Sequence, residues 1–266
     1  MSAPRSSVTD TYAKLRRALA QIFYSSERFW ARVTHRRDWL LRRMFNRWAR
    51  WGAGEQMEND HALLTEMVFE RMNACPGDRI LELACGSGWA SRRMARRAGE
   101  SARVVGLDLA DEMVHRAQAE SGDFPNVSFV QGSAERLPFE RDSFTKVLSV
   151  ESFYFFDPQE KVLEELLRVM ADRGELFLLL CLYKDNPESL RCVGELNMPV
   201  HIRSADEYKV MLQKVGWQDV QTEIFEPPRP AGAKPGPHSR ALLITARKLD
   251  SPTRLFFTDN LASANR

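Results

Sequence analysis

Long hydrophobic runs are absent from this sequence, and no apolar stretch approaches the roughly 20 residues needed to span a membrane. The N-terminus has no apolar signal core, which argues against secretion. Cysteine is scarce, and Cys75, Cys85, Cys181 and Cys192 form no C-x-x-C pair and have no histidine cluster beside them. We therefore predict no disulfide framework and no metal, and we expect a reducing cytoplasm.

Net charge is also low, at +2 over 266 residues, but it is unevenly distributed. Residues 1–50 hold twelve Lys or Arg against three acids, a balance of +9. Residues 51–266 hold 26 Lys or Arg against 33 acids, a balance of −7. This asymmetry favours an anionic partner for the N-terminal segment, and the acidic main domain argues against nucleic acid as a partner.

The N-terminal segment has a helical pattern from about Thr11 to Arg50, with arginines opposite an apolar face. The clearest apolar positions are Leu40, Leu41, Met44, Phe45, Trp48 and Trp51. Three interpretations stay open. The helices pack on the main domain with a solvated arginine face, they lie on an anionic membrane surface, or they form an acid-poor transit peptide.

Downstream of Gly52-Ala53-Gly54, a predicted hinge, strand and helix patterns alternate. A first helix is predicted from Glu58 to Ala74, with Asn59 or Asp60 as its cap. Strands are predicted at residues 79–84, 103–107, 127–130, 144–150, 175–183, 220–225 and 241–246. This order predicts an α/β fold, with a doubly wound, mostly parallel seven-stranded sheet covered on both faces.

The C-terminal third departs from the alternation. Residues 184–203 are predicted to be irregular, and Ser204 to cap a helix that Gly216 ends. No helix separates the last two strands, which predicts an antiparallel hairpin at one edge. Their connection, residues 226–239, contains five prolines and cannot join the sheet. It is interpreted either as a wall of a ligand site or as a solvent loop.

The stretch from Arg79 to Ser91 passes from an apolar strand through a glycine turn into a helix. Gly86 and Gly88 lack a Cβ, so a ligand can approach the backbone there, and the following helix directs free N–H groups at it. Asp108 ends the second strand, twenty residues after Gly88. An acid at that place hydrogen-bonds the ribose of a nucleotide held over the turn.

The glycine pattern separates two classes of cofactor. Dinucleotides prefer G-x-G-x-x-G/A, whereas the same count from Gly86 ends at Ser91. Glu82 places an anion next to the turn, which suits a cationic ligand better than a diphosphate. S-adenosylmethionine carries a sulfonium and an amino group and has no phosphate. An NAD-type oxidoreductase remains the alternative.

Three motifs in order resemble those of class I S-adenosylmethionine-dependent methyltransferases. They are Leu-Glu-Leu-Ala-Cys-Gly-Ser-Gly at 81–88, Val-Val-Gly-Leu-Asp-Leu-Ala-Asp-Glu-Met at 104–113, and Gly-Ser-Ala-Glu-Arg-Leu-Pro-Phe at 132–139. The resemblance covers about residues 58–248 and is nearest to the small-molecule branch that includes quinone-biosynthesis C-methyltransferases. It implies a Rossmann-like methyltransferase fold.

The resemblance also implies S-adenosyl-L-methionine as cofactor and S-adenosyl-L-homocysteine as product. Asp108 would hold the ribose and Met113 would pack on the adenine, while Ser133 stands where many relatives have Asp. The implied cofactor-binding residues are Glu82, Ala84, Gly86, Gly88, Asp108, Leu109, Met113, Ser133, Ala134 and Glu135.

Side chains at the carboxyl end of strand four are the candidates for a base that would assist methyl transfer. Glu151 and Tyr154 are the first choices, and His61 and His201 are further candidates. A helix cap or a salt bridge is the structural alternative for Glu151. No Asn/Asp-Pro-Pro-Tyr/Phe motif of amine methylators follows strand four, and the surroundings are aromatic, so we expect a small organic or lipid-like acceptor.

The predicted organisation has three parts. Residues 1–57 form a basic amphipathic extension or a lid, residues 58–248 the methyltransferase domain, and residues 249–266 a tail. Peripheral membrane contact is an open possibility for residues 11–51. A cofactor-binding scaffold without catalysis also stays open, because intact cofactor motifs do not exclude it.

Overall fold

The computed structural model describes residues 37–195, 199–227 and 239–250. Its strands are β1 (Arg79–Leu83), β2 (Arg103–Asp108), β3 (Val127–Gln131), β4 (Phe144–Val150), β5 (Met170–Leu180), β6 (Gln218–Phe225) and β7 (Ala241–Arg247). Its helices are α1 (Arg37–Arg50), α2 (Ala53–Met72), α3 (Trp89–Ala98), α4 (Asp111–Ala119), α5 (Gln159–Val169), α6 (Pro187–Glu195) and α7 (Ala205–Val215). A 3-10 turn covers Phe153–Phe155.

The seven strands form one sheet in the order β3-β2-β1-β4-β5-β7-β6. The pairs among β1 to β5 are parallel, whereas β7 is antiparallel to both β5 and β6. The predicted fold class and the antiparallel pair at one edge are therefore confirmed. Strand order reverses between β1 and β4, and in open α/β sheets ligands bind outside the carboxyl ends of the strands at such a point.

Both faces of the sheet are buried under helices. α5 and α7 pack on one face, where Leu163 and Tyr208 are fully buried. α2 and α3 pack on the other, where Val68 and Met94 are buried to the same degree. Burial on both faces explains the nearly continuous apolar composition of the central strands.

Some element boundaries differ from those predicted. α2 begins at Ala53 rather than Glu58, because Gly52 adopts φ 75° and ends the preceding turn as a left-handed N-cap. Neither Asn59 nor Asp60 is the cap. The predicted hinge is thus a tight turn followed at once by helix.

Further along, α6 lies within residues predicted to be irregular. The prediction for α7 is confirmed, since Ser204 and Glu207 form a capping box and Gly216 ends the helix at φ 115°. The proline-rich connection, the tail and most of the N-terminal segment are predictions that fall at residues 228–238, 251–266 and 11–36, outside the described residues. Within the described ranges, no helix combines the length and apolarity required to cross a bilayer.

Candidate active site

The turn after β1 has an unusual backbone. Ala84 and Gly86 both adopt φ 54°, and Gly88 adopts φ 75°. A Cβ built on Gly88 would lie 2.5 Å from the Phe129 ring, so only glycine allows α3 to approach the sheet this closely. The turn therefore presents bare backbone at the carboxyl edge of β1, as the motif predicted.

Asp108 is fixed to this turn. The Gly86 amide donates to Asp108 Oδ2 at 2.8 Å, and the Ala110 amide donates to Asp108 Oδ1 at 2.8 Å. Burial raises the pKa of the carboxyl group, and the surrounding backbone N–H groups oppose that rise. A carboxylate has about four acceptor sites, so positions remain for the hydroxyls of a ribose. The Asp108 carboxylate therefore fits the ribose of the implied cofactor.

Glu82 is the second buried acid of this region, at 3% exposure. The Ser91 hydroxyl donates a hydrogen bond to its carboxylate. Burial raises the pKa of Glu82 to about 7, while the hydrogen bonds from Ser91 lower it. Ser91 occupies the place of the third glycine in the dinucleotide pattern. The residue that departs from that pattern is therefore the hydrogen-bond partner of the acid.

Helix α1 packs over the predicted adenine side. Met113 is 1% exposed, and it packs with Ala110 and with Ala49 of α1. The partly buried side chains at this cluster are Phe45, Trp48 and Met57. A Met at this position was predicted to contact adenine, and here it contacts the covering helix. α1 (Arg37–Arg50) is called the cover below, because it lies over this predicted adenine side.

Polar contacts fix α1 to the start of α4. Asn46 Nδ2 donates to Asp111 Oδ1 at 2.7 Å, and the Glu112 amide donates to Asn46 Oδ1 at 3.1 Å. Arg42 Nε donates to the same Asp111 oxygen at 2.9 Å. These contacts hold the pKa of Asp111 at about 2, chiefly through the Arg42 hydrogen bond. The cover is therefore anchored three residues beyond Asp108.

The loop after β3 lies near the start of α1. Ala134 is buried, and the Glu135 amide donates to Ser133 Oγ at 3.3 Å. Burial raises the pKa of Glu135, the charge of Asp38 raises it further, and the charge of Arg37 lowers it. The predicted adenine-side loop and the cover thus influence each other electrostatically.

Glu151 and Tyr154 come together just past β4. Tyr154 Oη donates to Glu151 Oε2 at 3.2 Å, and the Cys181 amide donates to Glu151 Oε1. Glu151 adopts φ 53°, a left-handed conformation that is strained for a residue with a side chain. Burial raises its pKa to about 7, and the pKa of Tyr154 is raised well above its usual value by the same cause. Among the described residues, Glu151 neither caps a helix nor forms a salt bridge.

The two histidines are placed differently. One ligand-type atom from each of His61, Glu151 and Cys181 lies within 4.8 Å of the other two. His201, by contrast, places Nε2 3.4 Å from Asp157 Oδ2. Sequence reasoning ranked His61 low and did not consider Cys181. Cys181 lies one residue past β5, at the same edge as Glu151, whereas the sequence predicts a strand over 175–183 that contains it.

Helix α2 joins the two halves of the site. A Cβ built on Gly86 would lie 3.8 Å from Met57 Cε, and His61 follows one helical turn later beside Glu151. Ser152 Oγ also donates to the Leu83 carbonyl at 3.4 Å. The glycine turn and Glu151 are therefore neighbours across β1 and β4.

A family profile described as a methyltransferase domain matches residues 80–174. Among solved structures, a Haloferax volcanii methyltransferase in complex with the Trm112 methyltransferase activator has a TM-score of 0.70 and 26% identity. That match covers 77% of this chain and 98% of the other.

Two curated relatives are also methyltransferases. Methyltransferase GfsG of Streptomyces halstedii is 26% identical over 200 residues, which are 73% of this chain and 69% of the relative. The 2-phytyl-1,4-naphtoquinone methyltransferase of Trichormus variabilis is 32% identical over 123 residues, 45% of this chain and 53% of the relative. The chain thus spans about half the length of the latter. The dinucleotide alternative finds no support in these likenesses.

Proposed function

Because this chain is a class I S-adenosylmethionine-dependent methyltransferase, we propose that its methyl acceptor is a small organic or lipid-like molecule and that Glu151 takes the acceptor proton. The observation that carries the proposal is the placement of Glu151 at the carboxyl edge of the sheet, next to the turn that binds Asp108. A single face of the molecule thereby holds both a nucleotide-binding acid and a base.

The cofactor, when bound, supplies an activated methyl group on a sulfonium. Asp108 would hold the ribose, and Glu82 would offer a carboxylate to the cationic methionine end. Met113, Leu109 and the loop residues Ser133, Ala134 and Glu135 would surround the adenine. The chain itself contributes position, and holding two reactants aligned lowers a barrier by roughly 7–11 kcal/mol.

Glu151 has the properties of a general base at neutral pH. A base works best when its pKa lies near the working pH, and burial brings the pKa of Glu151 to about 7. Tyr154 donates to one carboxylate oxygen and the Cys181 amide to the other, so the side chain has a fixed orientation. Tyr154 is a donor to Glu151 rather than a second base, because its own pKa is raised.

The aromatic surroundings support an organic acceptor. The Tyr154 and Phe155 rings lie 4.7 Å apart, and Phe155 meets Phe45 of the cover at 5.4 Å. Apolar walls of this kind bind organic molecules rather than polar polymers. The naphthoquinone relative acts on a compound of that kind. A cytoplasmic location at a membrane surface, predicted from composition, would give access to such acceptors.

Calorimetric titration of the full chain with S-adenosylhomocysteine tests the cofactor site, with NADH as control. We expect binding that Asp108→Ala weakens by at least about 100-fold, since two charge-assisted hydrogen bonds are lost. Binding of NADH alone would overturn the proposal.

Methyl uptake from labelled S-adenosylmethionine tests the acceptor class. Quinones, phenols and lipids are offered in parallel with a peptide and an oligonucleotide. We expect uptake in the first group and none in the last two. Cofactor binding without uptake by any acceptor would favour a non-catalytic scaffold.

A further inference from the structure

The hydroxyl of Tyr183 is a polar group without a partner inside the protein. Tyr183 is 0% exposed, and its Oη is itself buried. Among the residues that the structure describes, none forms a hydrogen bond with this oxygen. An unpaired buried hydroxyl destabilises the folded state, and protein interiors contain few of them. The position therefore indicates a partner that these residues do not supply.

Other buried tyrosines close to Tyr183 in the fold are paired. Tyr208 is equally buried, and its hydroxyl donates to the His201 carbonyl at 3.4 Å. The Tyr154 hydroxyl donates to Glu151 Oε2 at 3.2 Å. Tyr183 thus differs from tyrosines of similar burial in the same apolar cluster, and Tyr208 offers a matched residue for comparison.

Tyr183 lies at the edge of the sheet that holds the proposed base. It comes two residues after Cys181, just past the carboxyl end of β5, and the Cys181 amide donates to Glu151. Burial raises the pKa of the Tyr183 hydroxyl, the charge of Arg240 lowers it, and the charges of Asp185 and Cys181 raise it further. Cys181 is therefore close both to Glu151 and to the unpaired hydroxyl.

The groups around Tyr183 bond to one another and hold its backbone in place. Arg240 Nε lies 3.0 Å from Glu226 Oε1 in an ion pair. Asn186 Nδ2 donates to the Cys181 carbonyl at 3.0 Å and to the Arg240 carbonyl at 3.4 Å. The hydroxyl thus stands on a fixed part of the chain, where a ligand contact can be specific.

We propose that Tyr183 donates a hydrogen bond to an oxygen atom of the methyl acceptor and so selects acceptors with a carbonyl or ether oxygen over hydrocarbons of the same shape. A tyrosine hydroxyl with a raised pKa stays protonated at neutral pH and acts as a donor. The inference rests on the proposed function, because it names the chemical class of the acceptor that Glu151 deprotonates.

Helix α6 gives the acceptor a way in. Cys192 and Val193 of this helix are half-buried and pack against the apolar cluster that contains Tyr183. Leu190 of the same helix is 57% exposed. An element held by so few buried apolar contacts opens at a low cost in free energy. The acceptor would therefore reach Tyr183 by displacing α6.

Thermal unfolding of two variants tests whether the hydroxyl is unpaired. Tyr183→Phe removes a buried hydroxyl with no partner, so its midpoint should rise by about 2–4 °C. Tyr208→Phe is the matched control, and its midpoint should fall because its hydroxyl is bonded. A fall in the Tyr183→Phe midpoint would show that the chain itself pairs this hydroxyl, and would overturn the proposal.

Two probes of the same shape test the preference for oxygen. Calorimetry of the full chain with saturating S-adenosylhomocysteine compares 1-tetralone, which has one carbonyl, with tetralin, which has none. We expect the parent and Tyr208→Phe to bind tetralone about 10-fold more tightly than tetralin, and Tyr183→Phe to bind the two equally. Equal affinity of the parent for both probes, or binding of neither, would overturn the proposal.

Methyl uptake separates this inference from the proposed function. With an oxygen-bearing acceptor, Tyr183→Phe should raise KM by about 10–100-fold and leave kcat nearly unchanged, since the contact is one of binding. Uptake with the same KM in this variant and the parent would contradict the role of Tyr183 alone. A preference for tetralone that Tyr183→Phe removes, without uptake by any acceptor, would contradict the proposed function and leave Tyr183 as a ligand-binding residue.

Discussion

The backbone amide of Cys181 donates a hydrogen bond to the carboxylate of Glu151, across the carboxyl ends of β5 and β4. This contact fixes the acid that we propose as the base. Glu151→Gln keeps the shape and an oxygen for the Cys181 amide but cannot accept a proton. We expect kcat to fall by about 10²–10⁴-fold with little change in affinity for S-adenosylhomocysteine. Steady-state kinetics and calorimetry measure the two effects, with the exposed Glu140→Gln as control.

The pH profile of the parent enzyme gives a second readout for Glu151. Its pKa is about 7, and the base acts only when ionised, so kcat/KM should rise with pH through about 7. Tyr154→Phe removes a hydrogen bond that lowers the pKa, so the rise should move to higher pH. A profile that is flat between pH 5 and 9 in the parent would contradict the assignment.

Glu82 should make stability depend on pH. Its folded pKa of about 7 exceeds the ordinary glutamate value of 4.5 because the carboxyl group is buried. A raised folded pKa means that the stability is fully present below about pH 4.5 and is lost as pH rises through 7. Glu82→Gln should remove this dependence and be more stable than the parent at pH 8, by up to about 3 kcal/mol. Urea unfolding at pH 5 and pH 8 measures the free energy of unfolding of the parent and of the variant.

A variant of Ser91, the hydrogen-bond partner of Glu82, is the control for this prediction. Ser91→Ala removes a donor to the carboxylate, so it should make the parental loss of stability at pH 8 larger. Equal stability of Glu82→Gln and the parent at both pH values would show that the carboxyl group is not penalised by burial. Weaker cofactor binding in Glu82→Gln would indicate what the buried acid is retained for.

The cover should control the exchange of cofactor. Asn46 bonds both the Asp111 side chain and the Glu112 amide, so Asn46→Ala removes two contacts between α1 and α4. We expect release of S-adenosylhomocysteine to be up to about 30-fold faster, since two net hydrogen bonds contribute roughly 1 kcal/mol each. Stopped-flow displacement measures the rate. The exposed Asn59→Ala is the matched control, and an unchanged rate would show that α1 does not limit release.

Much of the sheet could be predicted because its local turn and strand patterns agree with the fold as a whole. Gly86 and Gly88 mark the turn after β1, and buried strands on both faces leave a continuous apolar composition. The predicted start of α2 was wrong because Gly52 caps this helix through its backbone conformation alone. The preference of helix N-termini for Asn or Asp caps does not identify a helix start of this kind.

The parts of the candidate site that lie within one segment could be predicted from the sequence. The parts that depend on contacts between distant segments were harder to predict. Asp108 ends one strand and Glu151 directly follows another, so their edge of the sheet could be inferred. The Ser91–Glu82 bond, the contact of Cys181 with Glu151, and the packing of Ala49 on Met113 all depend on tertiary placement. No spacing rule in the sequence encodes them.

Helix α1 turns Ala49 toward Met113 and Trp39 toward solvent. One helix thus has one face on the nucleotide region and the other in water. Thermodynamic linkage then makes the docking of α1 and the binding of cofactor reciprocal: whatever factor the docked helix applies to cofactor affinity, the cofactor applies to the docking equilibrium in return. An enzyme built this way would hold α1 against the domain more or less firmly according to whether it carries fresh cofactor, spent product or neither.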